Sequence, residues 1–179
     1  MSMDRANNTK WQRHLVLHGG WRIFVRPITR DDEPLIRDLL EHVSKEDLRL
    51  RFFDSIREFS HQFIAKLSDL DSLHAIAFAA FDEAGSETLG VVWLYCNSVH
   101  DAGEYAILLR SDLKGRGLGW ALMELIIDHA KSEGLSRIYG QILQENAVML
   151  KMCRELGFKV VTDAEDAGVC DVSLTLQSR

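Results

Sequence analysis

The segment EYAILLRSDLKGRGLGWALMELIIDHAK, residues 104–131, decides the fold of this chain. Its first part, Tyr105–Leu109, is a short apolar run typical of a buried strand. A turn with three glycines follows, and from Leu118 onward apolar residues recur at the i, i+3, i+4, i+7 spacing of one buried helix face. A strand, a glycine turn and a helix N-terminus in this order can hold a phosphate group.

The glycine spacing narrows the kind of phosphate ligand. A Walker loop requires Lys-Ser or Lys-Thr after its glycines, and neither follows here. A dinucleotide-binding loop requires G-x-G-x-x-G, whereas Gly115, Gly117 and Gly119 are spaced G-x-G-x-G and lie past the middle of the chain. From the spacing alone, a tight turn whose glycines only cap and pack the helix stays open as the alternative to a phosphate site.

Further motifs give this loop a family context. The loop KGRGLG, Lys114–Gly119, resembles the Gln/Arg-x-x-Gly-x-Gly/Ala loop of the GNAT superfamily of N-acetyltransferases. The segment NAVMLKMCRELGF, Asn146–Phe158, resembles that superfamily's Asn-led helix ending in Leu-Gly-Phe. The segments RPITRDDEPLIRDLL, LRLRFF, EYAILLRSDLKGRGLG and GVCDVSLTLQ together are similar to the acetyltransferase domain of bacterial protein-lysine acetyltransferases of the Pat type. This resemblance extends from Leu17 to Leu176.

The resemblance implies a fold of the α/β (α+β) class. The GNAT fold has a mixed, mostly antiparallel central sheet, here expected with about six to seven strands and about four flanking helices. A parallel pair of strands, expected at 104–109 and 136–142, splays apart at the acyl-CoA site. Residues 1–16 are expected to form a flexible N-terminal segment, and 17–179 a single acetyltransferase domain.

Hydrophobic spacing in the first half of the chain predicts three helices, at Asp32–His42, Lys45–Phe53 and Ser60–Leu67. Ser44, with Asp47 three residues later, resembles a capping box at the start of the second helix. In the superfamily the first two helices form one wall of the acceptor site.

Composition bounds the class of protein. The chain has 179 residues, 46% hydrophobic and 27% charged, which suits one globular domain. A formal net charge of −6 argues against a nucleic-acid or membrane-surface partner. Three cysteines without metal-ligand spacing, together with the lack of a signal peptide or an apolar run of membrane-spanning length, predict a cytoplasmic protein. Scattered histidines predict no metal site.

The resemblance implies acetyl-CoA as the acyl donor, with the glycine loop at its pyrophosphate. A backbone N–H near Leu108 or Leu109 is expected to point at the acyl carbonyl oxygen, as an oxyanion-hole donor does. Asn146 is expected both to cap its helix and to contact the coenzyme. Trp120 is interpreted as a packing residue. The implied cofactor-binding residues are Leu108, Leu109, Lys114, Gly115, Arg116, Gly117, Leu118, Gly119 and Asn146.

Glu104 is the predicted general base. A lysine ε-amine has a pKa of about 10.4 and is almost wholly protonated at neutral pH, so its acylation needs a proton acceptor. Glu104 matches the strand glutamate of the Pat type, in that type's Glu-aromatic-Ala pattern. From the residue alone, a solvated or ion-paired acid is the alternative. Glu145 is a weaker candidate base.

No general acid is assigned. Many members of the superfamily carry a tyrosine seven residues after the Asn-led helix begins, where it protonates the leaving thiolate. This chain has Cys153 at that position. The thiol of coenzyme A is acidic enough to leave as a thiolate without help, because its pKa lies near the cysteine value of about 8.5.

The predicted function is acetyl-CoA-dependent N-acetylation of a primary amine, most specifically a protein lysine. Arg49, Arg51 and Phe52 are candidate acceptor-side residues, although solvated or ion-paired helix arginines are the simpler interpretation. Two alternatives stay open: acetylation of a small amine or a peptide N-terminus, and a non-catalytic acyl-CoA sensor. A homodimer is one option for assembly.

Overall fold

The structure, a computed structural model, describes residues 9–53, 67–68, 70 and 74–177. Within these residues there are eight strands: β1 (Arg13–Val16), β2 (Arg22–Pro27), β3 (Ala75–Asp82), β4 (Thr88–Cys96), β5 (Ala102–Leu109), β6 (Arg137–Leu143), β7 (Lys159–Thr162) and β8 (Val169–Thr175). The described α-helices are α1 (Glu33–Glu41), α2 (Lys45–Phe52), α3 (Leu118–Ser132) and α4 (Ala147–Glu155). The strands form one mixed sheet in the order β1-β2-β3-β4-β5-β6-β8-β7.

The N-terminal end of the sheet differs from the prediction. We expected about six to seven strands and a flexible segment over 1–16. Instead Arg13–Val16 pairs antiparallel with β2, which brings the sheet to eight strands, and Trp11 is 6% exposed. The sequence analysis did not predict β1, because this edge strand is mostly exposed and therefore lacks the apolar run that indicates a strand. Residues 1–8 lie outside the described part of the chain, so the expectation is untested there.

Two hydrophobic layers hold the helices on opposite faces of the sheet. α3 and α4 pack on one face, and α1 and α2 pack on the other. On α3 the spacing seen in the sequence is the buried stripe: Leu118, Leu122, Leu125, Ile126 and His129 are all buried. This is the amphipathic helix that the periodicity predicted.

Polar side chains fix the starts of the helices on the second face. The Ser44 hydroxyl accepts a hydrogen bond from the Asp47 backbone N–H at 3.1 Å, as the capping motif predicted. Before α1, the Asp32 carboxylate accepts from the Thr29 backbone N–H and forms a two-pronged pair with Arg26. The predicted helix Ser60–Leu67 lies, except for its last residue, outside the described part of the chain.

The parallel pair of strands separates as predicted. β5 pairs with β6 at Ala102↔Arg137, Gly103↔Ile138 and Glu104↔Tyr139, and the pairing ends there. β5 continues to Leu109 paired with β4 alone. The backbone groups of β5 that face β6 beyond Glu104 therefore have no partner in the β-ladder, and they line an opening between the strands.

An aromatic ring sits where the strands part. A Cβ added at Gly140 would lie 3.0 Å from Cε1 of Tyr105, so the Tyr105 ring takes the space that a side chain on β6 would fill. Gly140 is needed here for close approach. The ring also packs edge-on against Phe158, with centroids 5.6 Å apart.

Candidate active site

A cavity of about 630 Å³ opens between the separated strands. Its walls come from β5, α2, the loop before α3, and the start of α4. Most of the residues singled out in the sequence lie on these walls: Glu104, Leu108, Leu109, Lys114, Gly115, Gly117, Gly119 and Asn146. The walls do not include Arg116 or Leu118.

The loop end of the cavity presents backbone donors. Gly117 is the N-cap of α3 with φ of 86°, a left-handed conformation that favours glycine. No side chain caps this helix start, and the first intrahelical bond to Gly117 comes from the Ala121 N–H. Among the described residues no group accepts a hydrogen bond from the first-turn N–H groups of Leu118 to Trp120, so these donors can meet an anion. The Leu118 side chain is 1% exposed, so this residue can offer only its backbone.

The two cations of the loop are already engaged. The Lys114 ammonium pairs with the Asp47 carboxylate on α2. The Arg116 guanidinium stacks on Trp21, with Cζ 3.8 Å from the ring centroid. Burial opposes charge at Asp47, but hydrogen bonds from Lys114 and Ser111 outweigh that effect and lower the Asp47 pKa. Phosphate binding here would therefore rest on backbone N–H groups first and on Lys114 only after exchange of partners.

Helix α2 bridges the mouth of the cavity. On one side Asp47 accepts from the Ser111 hydroxyl at 2.5 Å, in addition to its pair with Lys114. On the other side the Arg49 guanidinium donates to Glu145 at 2.7 Å, while also pairing with Glu46 on its own helix. The Arg49 pair lowers the pKa of Glu145. Arg49 and Glu145 thus hold α2 against the loop before α4, which makes Glu145 a poorer candidate base.

Of the described carboxylates on the cavity wall, Glu104 is the one without a described ion pair. It is the last residue of β5 to pair with β6, opposite Tyr139, and it faces Tyr95 on β4. Its side chain is exposed on the cavity wall. Across the described ranges, no hydrogen bond or ion pair is made by its carboxylate, so the ion-paired alternative finds no support there. Its role as a base stays a prediction.

Tyr105, the residue after Glu104 on β5, also lines the cavity, and the sequence analysis gave it no role. The Tyr105 hydroxyl is 3.2 Å from the Cys153 thiol, and Cys153 is fully buried on α4. Burial, strengthened by the thiol, raises the pKa of Tyr105 well above its usual value, so the phenol keeps its proton at neutral pH. The sequence did carry a signal for a buried Tyr105. Neighbouring residues of a strand point to opposite faces of the sheet, so the two side chains of residues 104 and 105 had to lie on different faces.

Two further residues behave as their types suggest. The Asn146 side chain accepts from the Met149 N–H at 3.3 Å, which confirms it as the N-cap of α4, and Asn146 also lines the cavity. Trp120, interpreted from sequence as a packing residue, lies half-buried on the cavity wall. Asp47 and Tyr95, which sequence reasoning did not assign to the site, also line it.

The described part of the chain contains neither a helix suited to cross a membrane nor a cluster of side chains suited to bind a metal. No described helix has the length and apolarity to cross a membrane. In the same residues no group of three or more His, Cys, Asp or Glu side chains could hold a metal ion.

Separated parallel strands beside a helix start with unpaired N–H groups form an opening that can accept a thioester with a phosphate tail. The chain matches the acetyltransferase (GNAT) domain family over residues 22–159. It therefore belongs to the GNAT family, and it is an acetyltransferase.

Individual relatives agree with this assignment. The chain is 27% identical over 153 residues to an acetyltransferase of Pseudomonas aeruginosa, a match that covers 84% of this chain and 82% of that protein. It is similar to the crystal structure of the GNAT domain of S. lividans PAT, with a TM-score of 0.85, 27% identity, and coverage of 93% and 98% of the two chains. Its fold also resembles the spermidine N-acetyltransferase of Vibrio cholerae in complex with CoA and spermine, with a TM-score of 0.68, 20% identity, and coverage of 86% and 95%.

Proposed function

We propose that this enzyme transfers the acetyl group of acetyl-CoA to a primary amine, the ε-amine of a protein lysine, with Glu104 as the general base. The observation that carries the proposal is the position of Glu104. It is a carboxylate without a described partner, at the point where β5 and β6 part and on the wall of the cavity. A general base must reach the proton that it removes, and this site leaves Glu104 open to an incoming amine.

The cavity has features that suit acetyl-CoA. The free N–H groups at the start of α3 would bind the pyrophosphate, and Asn146 at the other wall would contact the arm of the coenzyme. The unpaired edge of β5 offers backbone donors and acceptors to the amide groups of that arm. When bound, acetyl-CoA supplies an acyl thioester at the foot of the opening.

Two groups of the protein then act in the transfer: a carboxylate that accepts a proton and a backbone N–H that stabilises the carbonyl oxygen. Glu104 accepts a proton from the ammonium of the acceptor, and the neutral amine attacks the thioester carbonyl. A backbone N–H near Leu108 or Leu109 donates to the carbonyl oxygen as negative charge grows on it; such a donor is commonly worth about 3 kcal/mol. The C–N bond forms and the C–S bond breaks. The nitrogen loses its second proton as it becomes an amide, the leaving thiolate takes up one proton from solvent, and Glu104 releases the first proton to solvent.

The protein-lysine acceptor is supported by the likeness to the S. lividans PAT domain over nearly the whole of both chains. Acetylation of a small amine is the second candidate, and the fold shared with a spermidine acetyltransferase supports it. A lysine peptide and spermidine, offered side by side with acetyl-CoA, separate the two candidates. Faster turnover of the peptide supports the first candidate, and turnover of spermidine alone contradicts it.

Replacement of Glu104 by glutamine tests the mechanism. We expect kcat/KM to fall about 10²–10⁴-fold, the usual contribution of a general base, while acetyl-CoA binds with an unchanged Kd. Raising the pH should restore part of the rate, because the amine then loses its proton to water. The measurement is thiol release across pH 6–10 together with calorimetric titration of acetyl-CoA.

The matched control is Glu124→Gln, which removes an exposed carboxylate from α3 outside the cavity wall. It should leave both rate and binding within about twofold. An unchanged rate for Glu104→Gln would contradict the base assignment. Binding of acetyl-CoA without turnover of any amine by the wild type would favour the sensor, and loss of binding would contradict the site itself.

A further inference from the structure

Arg51, near the end of α2, is held in an unusual environment for an arginine. Its guanidinium lies over two aromatic rings, with Cζ 4.6 Å from the Phe52 centroid and 5.8 Å from that of Trp93. Its Nε atom is buried, and burial lowers the pKa of the group. The cation therefore carries a desolvation cost that its stacking on the rings only partly offsets.

The guanidinium also lacks the partners that its neighbours have. Nε has no hydrogen-bond partner, and across the described residues no hydrogen bond or ion pair involves Arg51. By contrast, Arg26 pairs with Asp32, Arg49 with two glutamates, and Arg110 with Asp112. A guanidinium has five N–H donors, and buried donors are rarely left unused in a folded protein. The buried, unpaired Nε–H of Arg51 therefore marks a binding position for an acceptor group on the guanidinium edge.

Arg51 lies on the wall of the same cavity as the predicted base, Glu104. Arg51 lines the cavity together with Phe52, Tyr95 and Glu104. Tyr95 and Glu104 are paired across β4 and β5, so their side chains share the face of the sheet on which α2 packs. The negative charge of Glu104 attracts the Arg51 cation without forming an ion pair with it. A group bound by Arg51 would thus lie next to the amine that Glu104 deprotonates.

We propose that Arg51 binds a carboxylate of the substrate beside the reacting amine, and that it makes the enzyme select acceptors with an acidic group close to that amine. This inference rests on the proposed function and names its substrate class. The planar fork of arginine matches a carboxylate with two parallel hydrogen bonds, which a buried site strengthens. For a protein acceptor, the carboxylate belongs to an aspartate or glutamate next to the target lysine.

Matched peptides test the inference. One peptide has aspartate on both sides of a lysine, and its counterpart has asparagine at the same two positions. Affinity is measured by calorimetry on protein loaded with coenzyme A, which binds but cannot donate an acyl group. We expect the wild type to bind the acidic peptide at least about tenfold more tightly, and Arg51→Met to bind the two equally.

Two variants separate recognition from structural damage. Arg37→Met removes a partly exposed arginine of α1 that pairs with Glu33 outside the cavity wall, and it should keep the wild-type ratio. Arg51→Met should resist urea at least as well as the wild type, because an apolar chain of similar length replaces a buried, unpartnered cation. A clear loss of stability in Arg51→Met, with an unchanged peptide ratio, would overturn the proposal in favour of a structural role.

A second arm identifies which substrate carries the carboxylate. If it belongs to the acyl chain, the wild type should prefer succinyl-CoA to acetyl-CoA, and Arg51→Met should lose that preference. Equal binding of both peptides by the wild type overturns the inference, and a preference for succinyl-CoA would then place the carboxylate on the acyl chain instead. Peptide discrimination without any turnover would instead contradict the proposed function and leave the Arg51 site standing.

Discussion

At the scale of single residues, hydrogen-bond partners separate structural charges from candidate functional ones. Arg26, Arg49 and Arg110 each pair with carboxylates, and these pairs hold helices and loops in place. Glu104 and Arg51 line the cavity, and neither forms an ion pair with another described residue. Because folding normally satisfies buried polar groups, the buried and unpaired Nε of Arg51 on the cavity wall indicates a site for a ligand.

Asp32 is the clearest structural carboxylate. Its oxygens accept from Arg26 Nη1 and Nη2 at 2.8 Å each and from the Thr29 N–H at 2.8 Å, and its side chain is 10% exposed. Asp32→Ala should lower the free energy of unfolding by about 2–4 kcal/mol, because it leaves the Thr29 N–H without its acceptor and Arg26 with the Pro27 carbonyl alone. Urea unfolding at pH 7 measures this, with the exposed neighbour Asp31→Ala as a control expected within about 0.5 kcal/mol.

The same residue predicts a pH dependence. Burial favours the neutral acid, but the hydrogen bonds from Arg26 and Thr29 outweigh it and lower the Asp32 pKa. A lowered folded-state pKa means that the stabilisation is complete above the unfolded value of about 3.9 and is lost as the pH falls through the folded value. The stability gap between wild type and Asp32→Ala should therefore shrink below about pH 4. A gap that grows in acid would contradict the assignment.

At the scale of elements, the site is made by the ends of α3, α4 and α2 around a gap in the sheet. The start of α3 supplies free N–H groups, Asn146 begins α4, and α2 closes the mouth through Asp47 and Arg49. These groups come from segments distant in sequence. The sheet places these groups around one opening, and that opening exists because β5 and β6 stop pairing after Glu104.

The start of α3 gives a prediction with a matched control. Gly117 and Gly85 both have positive φ, at 86° and 75°, and a Cβ at either position would meet nothing within 4 Å. Alanine at either site should therefore cost about 1–2 kcal/mol of stability through the backbone alone. Only Gly117→Ala should also weaken acetyl-CoA binding, by about tenfold, since it disturbs the anion-binding turn.

Urea unfolding and calorimetric titration on both variants measure these effects. Gly85 lies in the turn between β3 and β4, away from the cavity, so its variant shows what the strain alone does to binding. Equal acetyl-CoA affinity in the two variants would place the pyrophosphate elsewhere.

At the scale of the whole molecule, one sheet separates two hydrophobic layers, and the N-terminal part of the chain belongs to one of them. Trp11 packs against Phe78 and His129, with ring centroids 5.7 and 5.0 Å away, in the layer beneath α3. β1 follows directly and extends the sheet. The fold therefore begins before residue 17, where the sequence resemblance begins.

Trp11→Ala tests this extension of the fold. Truncation of a buried tryptophan should lower the free energy of unfolding by about 3–5 kcal/mol. Val16→Ala, on the same segment but at a site 67% exposed, should change it by less than about 0.5 kcal/mol. Chemical unfolding followed by circular dichroism measures both. A loss below about 1 kcal/mol for Trp11→Ala would return residues 9–16 to the flexible segment first expected.

The sequence by itself determined the central helix through its local pattern, and it gave the class of fold and most of the cavity wall through the resemblance of its motifs to a known family. The spacing of Leu118, Leu122 and Ile126 defines a buried helix face, and the glycines mark the turn before it. Only the tertiary structure decided which charges are free. Lys114 and Arg116 were natural phosphate ligands in the sequence, yet Asp47 and Trp21 engage them in space. Arg51 resembled an ordinary helix arginine until its environment showed a buried Nε atom that has no hydrogen-bond partner among the described residues. A partner that is distant along the chain leaves no local trace in sequence, so pairing became visible only when the sheet had assembled the site.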